Sequence, residues 1–326
     1  MVALGHLHTN NNITIFIYSF HMPLFFFISG CLEKNRTFKE ILKNGINGLI
    51  IPYLILYSLS FLGWVPSRLL WHKELFENTS WVNVLILKPL VGMLFGVGYN
   101  TKYSTMMNIP LWFLVGMFFV KIIHKFLILI SKNNIKIYAM FNILIILLVV
   151  VLKQLKIDLL FSIDSAFLAF PFFAIGYLIH TTNLKTICNV LLCKKLVYKA
   201  VVIIIAFFMI ILMCKLNGYI DINAFNYGNN ILLFYVTGVI GIIMVVVISS
   251  FYIKELSFFR IISNGTIFIL AFHGYASAPI VRVLGMYAEQ LPVYIAIPIS
   301  IVSTIIMVLP IIIIKKYFPI ILGGRK

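Results

Sequence analysis

The chain has 326 residues, 62% of them hydrophobic and only 11% charged, with a mean hydropathy of +1.06 and a formal net charge of +17. A water-soluble domain of this size has too little interior to hide that much apolar side chain, so lipid must be the solvent for much of it. A soluble enzyme is excluded, and the positive charge needs an explanation other than nucleic acid.

Windows of roughly 17–25 mostly apolar residues mark transmembrane helices. In chain order they fall near 14–32, 45–64, 109–130, 136–152, 160–180, 197–214, 230–253, 264–284 and 291–314. Residues 1–8 read as the outer end of one more helix, too short to span and lacking the basic region and cleavage site of a signal peptide. The expected fold is an all-α polytopic membrane helical bundle of about ten transmembrane helices with the first truncated, a single domain over residues 1–326. A long outer connection, 65–108, carries tryptophans and an apolar stretch, and is expected to hold an interfacial or re-entrant helix.

With a cytoplasmic N-terminal side, 18 of the 26 basic residues fall on inner segments and 8 outside. Cytoplasmic loops are enriched in Lys and Arg, so the excess charge is mainly a topology signal, to which contact with anionic membrane lipids can be added. The four cysteines, Cys31, Cys188, Cys193 and Cys214, have no Cys-x-x-Cys spacing, and neither a structural disulfide nor a metal site is expected.

Ionisable groups within the apolar windows are functional candidates, because a charge in hydrocarbon is costly. His21 opens His-Met-Pro-Leu-Phe-Phe-Phe, where Pro23 removes a backbone donor. His6 precedes it across the short polar turn at Thr9, which sets the two helices side by side with their histidines one or two turns apart in depth. Two readings fit that spacing equally: a pair for general-base work on a hydroxyl, or interfacial histidines bonded to carbonyls. Trp112 is a belt tryptophan or a substrate contact, and Asp164 and Asn229 are helix caps or polar site residues. His273 sits in mid-helix beside Gly274, where a buried histidine needs a partner. The placement of His6, His21, Trp112, Asp164 and Asn229 in the outer half of the membrane suggests one outward-opening polar cavity.

The segments Val2-Ala-Leu-Gly-His6, Tyr18-Ser-Phe-His-Met-Pro-Leu-Phe-Phe-Phe-Ile-Ser-Gly30, Leu49-Ile-Ile-Pro-Tyr53, Leu111-Trp-Phe-Leu114, Asp164-Ser-Ala166, Phe173-Ala-Ile-Gly-Tyr177, Ser263-Asn-Gly-Thr-Ile and Phe272-His273 occur in this order. Together they resemble the integral-membrane acyltransferase 3 family, particularly its fucose 4-O-acetylase-like branch. The resemblance implies a multi-pass protein of the bacterial inner membrane that transfers acetyl from acetyl-CoA to a sugar hydroxyl of a surface polysaccharide, as a glycan or lipid-linked sugar. It implies His6 as general base or acyl carrier, His21 as its orienting or assisting partner, and Asp164 and Asn229 holding the acceptor, with Trp112 and His273 as further substrate contacts. Donor phosphates would meet Arg36, Lys39 and Lys43; neither nucleic acid nor a metal is implied. The chain departs from the family in lacking charged residues ahead of the first histidine and in having Asn47-Gly48 before the Pro-Tyr pair. A secondary transporter or glycan flippase is the rival reading, with an inactive truncated acyltransferase a third. The absence of an internal repeat and the histidines concentrated in the first hairpin count against transport.

Overall fold

The computed structural model describes residues 2–7, 11–71, 81–98, 106–182, 195–251, 257–285 and 290–324. Cys188 and Cys193, and residues 8–10 of the first polar turn, lie outside them. The described residues form helices and no strand. We label them α1 (Val2–Gly5), α2 (Asn11–Tyr18), α3 (His21–Cys31), α4 (Phe38–Gly45), α5 (Ile51–Trp71), α6 (Lys88–Phe95), α7 (Trp112–Ile130), α8 (Ile135–Gln154) and α9 (Ile163–Thr181). The remainder are α10 (Leu196–Asn217), α11 (Ile231–Ser249), α12 (Ser257–Asn264), α13 (Thr266–Val283), α14 (Val293–Ile306) and α15 (Val308–Tyr317).

Nine stretches among the described residues are long and apolar enough to cross a membrane, and each overlaps one of the nine sequence windows. Short α1 packs against α2, α13 and α14 at the flank of these spans. The centre is Leu160–Thr181, with 67% of its apolar window buried, whereas Leu196–Asn217 has 11% and faces outward. α9 packs closely on α3 because Gly30 lies against the Phe173 carbonyl and Gly176 against the Phe27 carbonyl. A Cβ at either glycine would overlap backbone, so the two chains approach as only small residues permit.

Two helix irregularities follow from prolines. Pro23 has no N–H to offer the Ser19 carbonyl, and the first span breaks at Ser19–Phe20; the Ser19 hydroxyl donates to the Phe16 carbonyl (2.7 Å). Similarly, a π-turn at Ile46–Ile50 precedes Pro52. The second span begins earlier than its apolar window because Thr37 and Glu40 form a capping box that starts α4. It also ends later, at Trp71, so the outer connection starts beyond 71 and not at 65. Within that connection a short apolar helix, Asn83–Phe95, is docked on α5: the Tyr57 hydroxyl donates to the Pro89 carbonyl (2.7 Å) and the Tyr53 hydroxyl to the Met93 carbonyl (2.6 Å).

Charge divides the bundle into two ends. Lys34, Lys39, Lys43, Lys132, Lys199 and Lys316 mark the basic end, where Lys121 pairs with buried Glu33. The opposite end carries the 218–230 loop between α10 and α11. There Asp221 and Asn226 exchange backbone bonds (2.8 and 2.9 Å), and Asn230 caps α11 by accepting from the Leu232 and Leu233 amides.

Candidate active site

A cavity of about 620 Å³ opens at the basic-poor end, bounded by α1–α3, α5, the start of α7, the 218–230 loop and α13. Each wall has a sequence reason to be there. The break at Ser19–Phe20 ends α2 with Tyr18 and starts α3 with His21, aiming both rings into the same space. The 3-10 turn Ile109–Leu111, with Pro110 near its start, delivers Trp112. α13 presents His273.

Three histidines and a tyrosine make the floor. The His273 and His6 rings are 4.8 Å apart, the His6 and Tyr18 rings 5.8 Å, and the Tyr18 and His21 rings 4.9 Å. The Tyr18 hydroxyl lies 3.2 Å from His6 Nδ1. His21 Nδ1–H donates to the Ile17 carbonyl (2.9 Å), and His273 Nδ1–H to the Ile269 and Leu270 carbonyls (3.0 Å each). A carbonyl only accepts, so Nδ1 carries a proton in both rings, and either ring when neutral presents Nε2 as its basic atom. His21 and His273 are 3% exposed, whereas His6 has an exposed side chain on the cavity wall.

The walls supply hydrogen-bonding groups. Asn108 Nδ2 donates to Ser60 Oγ (2.6 Å) and the Ala271 carbonyl (2.9 Å), tying α5 to α13 beside the cavity. Asn223 Oδ1 is buried with no hydrogen-bond partner among the described residues. A buried acceptor left unpaired at a cavity wall is a position that a bound hydroxyl would satisfy. Asp221 accepts from the Asn223 amide (3.0 Å), while burial raises its carboxyl to about 6. Ionising it takes charge out of water, which the backbone hydrogen bonds only partly offset.

Of the residues singled out in the sequence, His6, His21, Trp112 and His273 converge on this cavity. His6 and His21 share the cavity with Tyr18 standing between them, and the ring against His6 is His273. Asp164 is not among the lining residues. It is 8% exposed and accepts from the Leu159 (3.3 Å) and Ser165 (2.7 Å) amides, holding the turn that enters α9. Asn229 is likewise outside the lining, its side-chain amide donating to the Leu216 carbonyl (3.3 Å) so that it braces the loop. Arg36, Lys39 and Lys43 sit at the basic end, with Lys39 and Lys43 exposed on one face of α4.

Sequence reasoning passed over Tyr18, Asp221, Asn223, Arg68 and Arg282, all of which line the cavity. A signal existed for Asp221, an acidic residue flanked by isoleucines in a loop otherwise free of carboxylates. No signal existed for the arginines, since a cation at a helix end reads as an ordinary anchor.

The acyltransferase 3 family profile, described as an acyltransferase domain, matches residues 1–315. No curated protein and no solved structure gives a significant match to the chain.

Proposed function

Because the chain belongs to the acyltransferase 3 family, we propose that it transfers an acetyl group from acetyl-CoA to a sugar hydroxyl of a surface polysaccharide. The observation that carries this reading is His6, flanked by His273 and bonded through Nδ1 to Tyr18, on the wall of a cavity large enough for a saccharide. A thioester is already activated, so the protein has two tasks: to hold a hydroxyl in line with the carbonyl carbon and to take its proton.

His6 performs the second. In the tautomer whose Nδ1–H donates to the Tyr18 hydroxyl 3.2 Å away, Nε2 is the base. As the acceptor oxygen bonds to the thioester carbon, its proton passes to Nε2 of His6. The tetrahedral intermediate then collapses by breaking the C–S bond, and the imidazolium returns the proton to the departing thiolate. His273, its own Nδ1–H committed to backbone carbonyls, offers Nε2 as an acceptor beside the reacting centre and supports the acceptor hydroxyls. Trp112 gives a sugar ring an apolar face, and the unpaired Asn223 carbonyl oxygen takes a sugar O–H. Donor phosphates meet Arg36, Lys39 and Lys43 at the basic end. The setting is the bacterial inner membrane, with the cavity on its outer side.

The test is acetate on purified glycan from cells expressing the wild type or His6→Ala. We expect acetylation to fall by about 10²–10⁴-fold, the usual worth of a general base, with membrane insertion unchanged. Normal acetate content in the mutant sinks the assignment.

A further inference from the structure

We propose that the acceptor carries an anionic oxygen group, carboxylate or phosphate, held at the cavity mouth by Arg68 and Arg282. The inference rests on the acyl-transfer reading and adds a substrate class to it.

Positive charge is disfavoured on the outer side of a membrane protein, and only 8 of this chain's 26 basic residues are placed there. Two of the eight are arginines, Arg68 and Arg282, and both line the cavity; of the six outer lysines, the four among the described residues, Lys88, Lys153, Lys156 and Lys215, do not. Simple anchoring at headgroups would be served by lysine or arginine at any helix end, and gives no reason for this convergence. A guanidinium presents a planar fork of donors that fits carboxylate and phosphate oxygens two at a time, which an ammonium does not.

The two cations come from two helices that pack side by side, α5 and α13. Arg68 stands on α5, one turn after Trp64, with its guanidinium carbon 5.4 Å from the Trp64 ring centroid, which holds it toward the cavity. It is within electrostatic reach of Tyr275 on α13, whose hydroxyl donates to the Ser60 carbonyl on α5 (3.2 Å). Arg282 stands on α13, nine residues beyond His273, a rise of about 13 Å at ~1.5 Å per residue. The anion is therefore bound at the rim while the reacting hydroxyl lies at the floor. Such an acceptor bears its charge on a neighbouring unit: a uronic-acid residue next in the chain, or the diphosphate of a lipid-linked sugar. Asp221, the one carboxylate among the described lining residues, is within electrostatic reach of Tyr18 and so belongs to the floor.

The experiment is calorimetric titration of the full chain in detergent, without donor. The ligands are a glucuronosyl disaccharide, its carboxyl-reduced counterpart, a short-prenyl diphosphate glucose and the matching neutral prenyl glucoside. We expect one charged ligand to bind at least tenfold more tightly than its neutral partner; the carboxylate arm identifies an acidic glycan and the diphosphate arm a lipid-linked sugar. In Arg68→Gln and Arg282→Gln that preference should vanish, and Arg68→Lys should keep only part of it. Equal binding of charged and neutral ligands by the wild type, no saturable binding of either anion, or a preference unchanged in the glutamine variants overturns the proposal. The wild-type comparison decides even where a variant fails to fold. Since no donor is present, failure of acetyl transfer leaves the result standing, and failure of anion binding leaves acetyl transfer to be scored on its own.

Discussion

Tyr18 places its hydroxyl at His6 Nδ1 and its ring in a T-shaped contact with His21, so a single side chain fixes the relation between two imidazoles. Tyr18→Phe keeps the ring and removes the hydroxyl, leaving His6 free to rotate and to adopt the other tautomer. Acetylation is expected to fall about tenfold, well short of the ~10²–10⁴ expected for removal of the base itself, as measured by acetate release from purified glycan. Asp221 gives the site a pH response. Its carboxyl is raised from 3.8 to about 6, so the stability it contributes is complete below the unfolded value and is lost as pH rises through about 6. The melting temperature of the wild type should therefore drop relative to Asp221→Asn between about pH 4 and pH 7. Parallel curves across that range would show that the carboxyl is not held neutral. His6 and His21 were legible in the sequence as costly polar groups in apolar windows. Tyr18, one residue from being an ordinary interfacial tyrosine, was not, because its role depends on a helix break whose angle no local pattern encodes.

Helices α3 and α9 meet through Gly30 and Gly176, each set against the carbonyl of the other helix. Gly176→Ala would drive a methyl into the Phe27 carbonyl, and backbone cannot swing aside as a flexible side chain can. A loss of about 1–3 kcal/mol or more is expected, read as a lowered melting temperature or aggregation on size-exclusion chromatography. Gly274→Ala is the control, since nothing lies within 4 Å of a Cβ there. The positions of the spans were legible because hydrocarbon demands long apolar runs. The start of the second span was hidden: Phe-Lys-Glu-Ile-Leu-Lys-Asn-Gly is polar on one face, and a hydropathy window passes over a helix that the Thr37–Glu40 cap creates. Asp164 and Asn229 illustrate the opposite difficulty, since a polar residue at a helix entrance looks the same in sequence whether it braces a turn or faces a ligand.

Across the whole molecule, the basic end and the cavity lie on opposite sides of the bundle. Along α4 and α5 the rise from Lys43 to Trp64 is about 30 Å at ~1.5 Å per residue. If the donor is anchored at Lys43 as proposed, its arm has to thread through the bundle to reach the histidines. The excess of Lys and Arg at one end is the basis for an orientation test: with that end cytoplasmic, alkaline phosphatase fused after Asp221 should be active outside the cytoplasm, and a fluorescent protein fused after Tyr317 should fluoresce inside it. The reverse result for either fusion would invert the two ends and place the cavity on the cytoplasmic side. That His6 and His21 face a common cavity was legible from their shared depth on adjoining helices. Its rim was not, because Arg68 and Arg282 are 214 residues apart in sequence and only the packing of α5 beside α13 brings them together.

The interlock of α3 with α9 has a consequence for biosynthesis. α3 leaves the ribosome about 150 residues before its partner, a wait of roughly 8–30 s at ~5–20 residues per second. During that interval α3 stands in the bilayer with its Gly30 face open to lipid or to whatever holds it. α13 emerges later still, so the third imidazole arrives only when most of the chain has already been inserted. The cavity is thus completed late in synthesis, and a polypeptide interrupted before α13 carries His6 and His21 without the wall that encloses them.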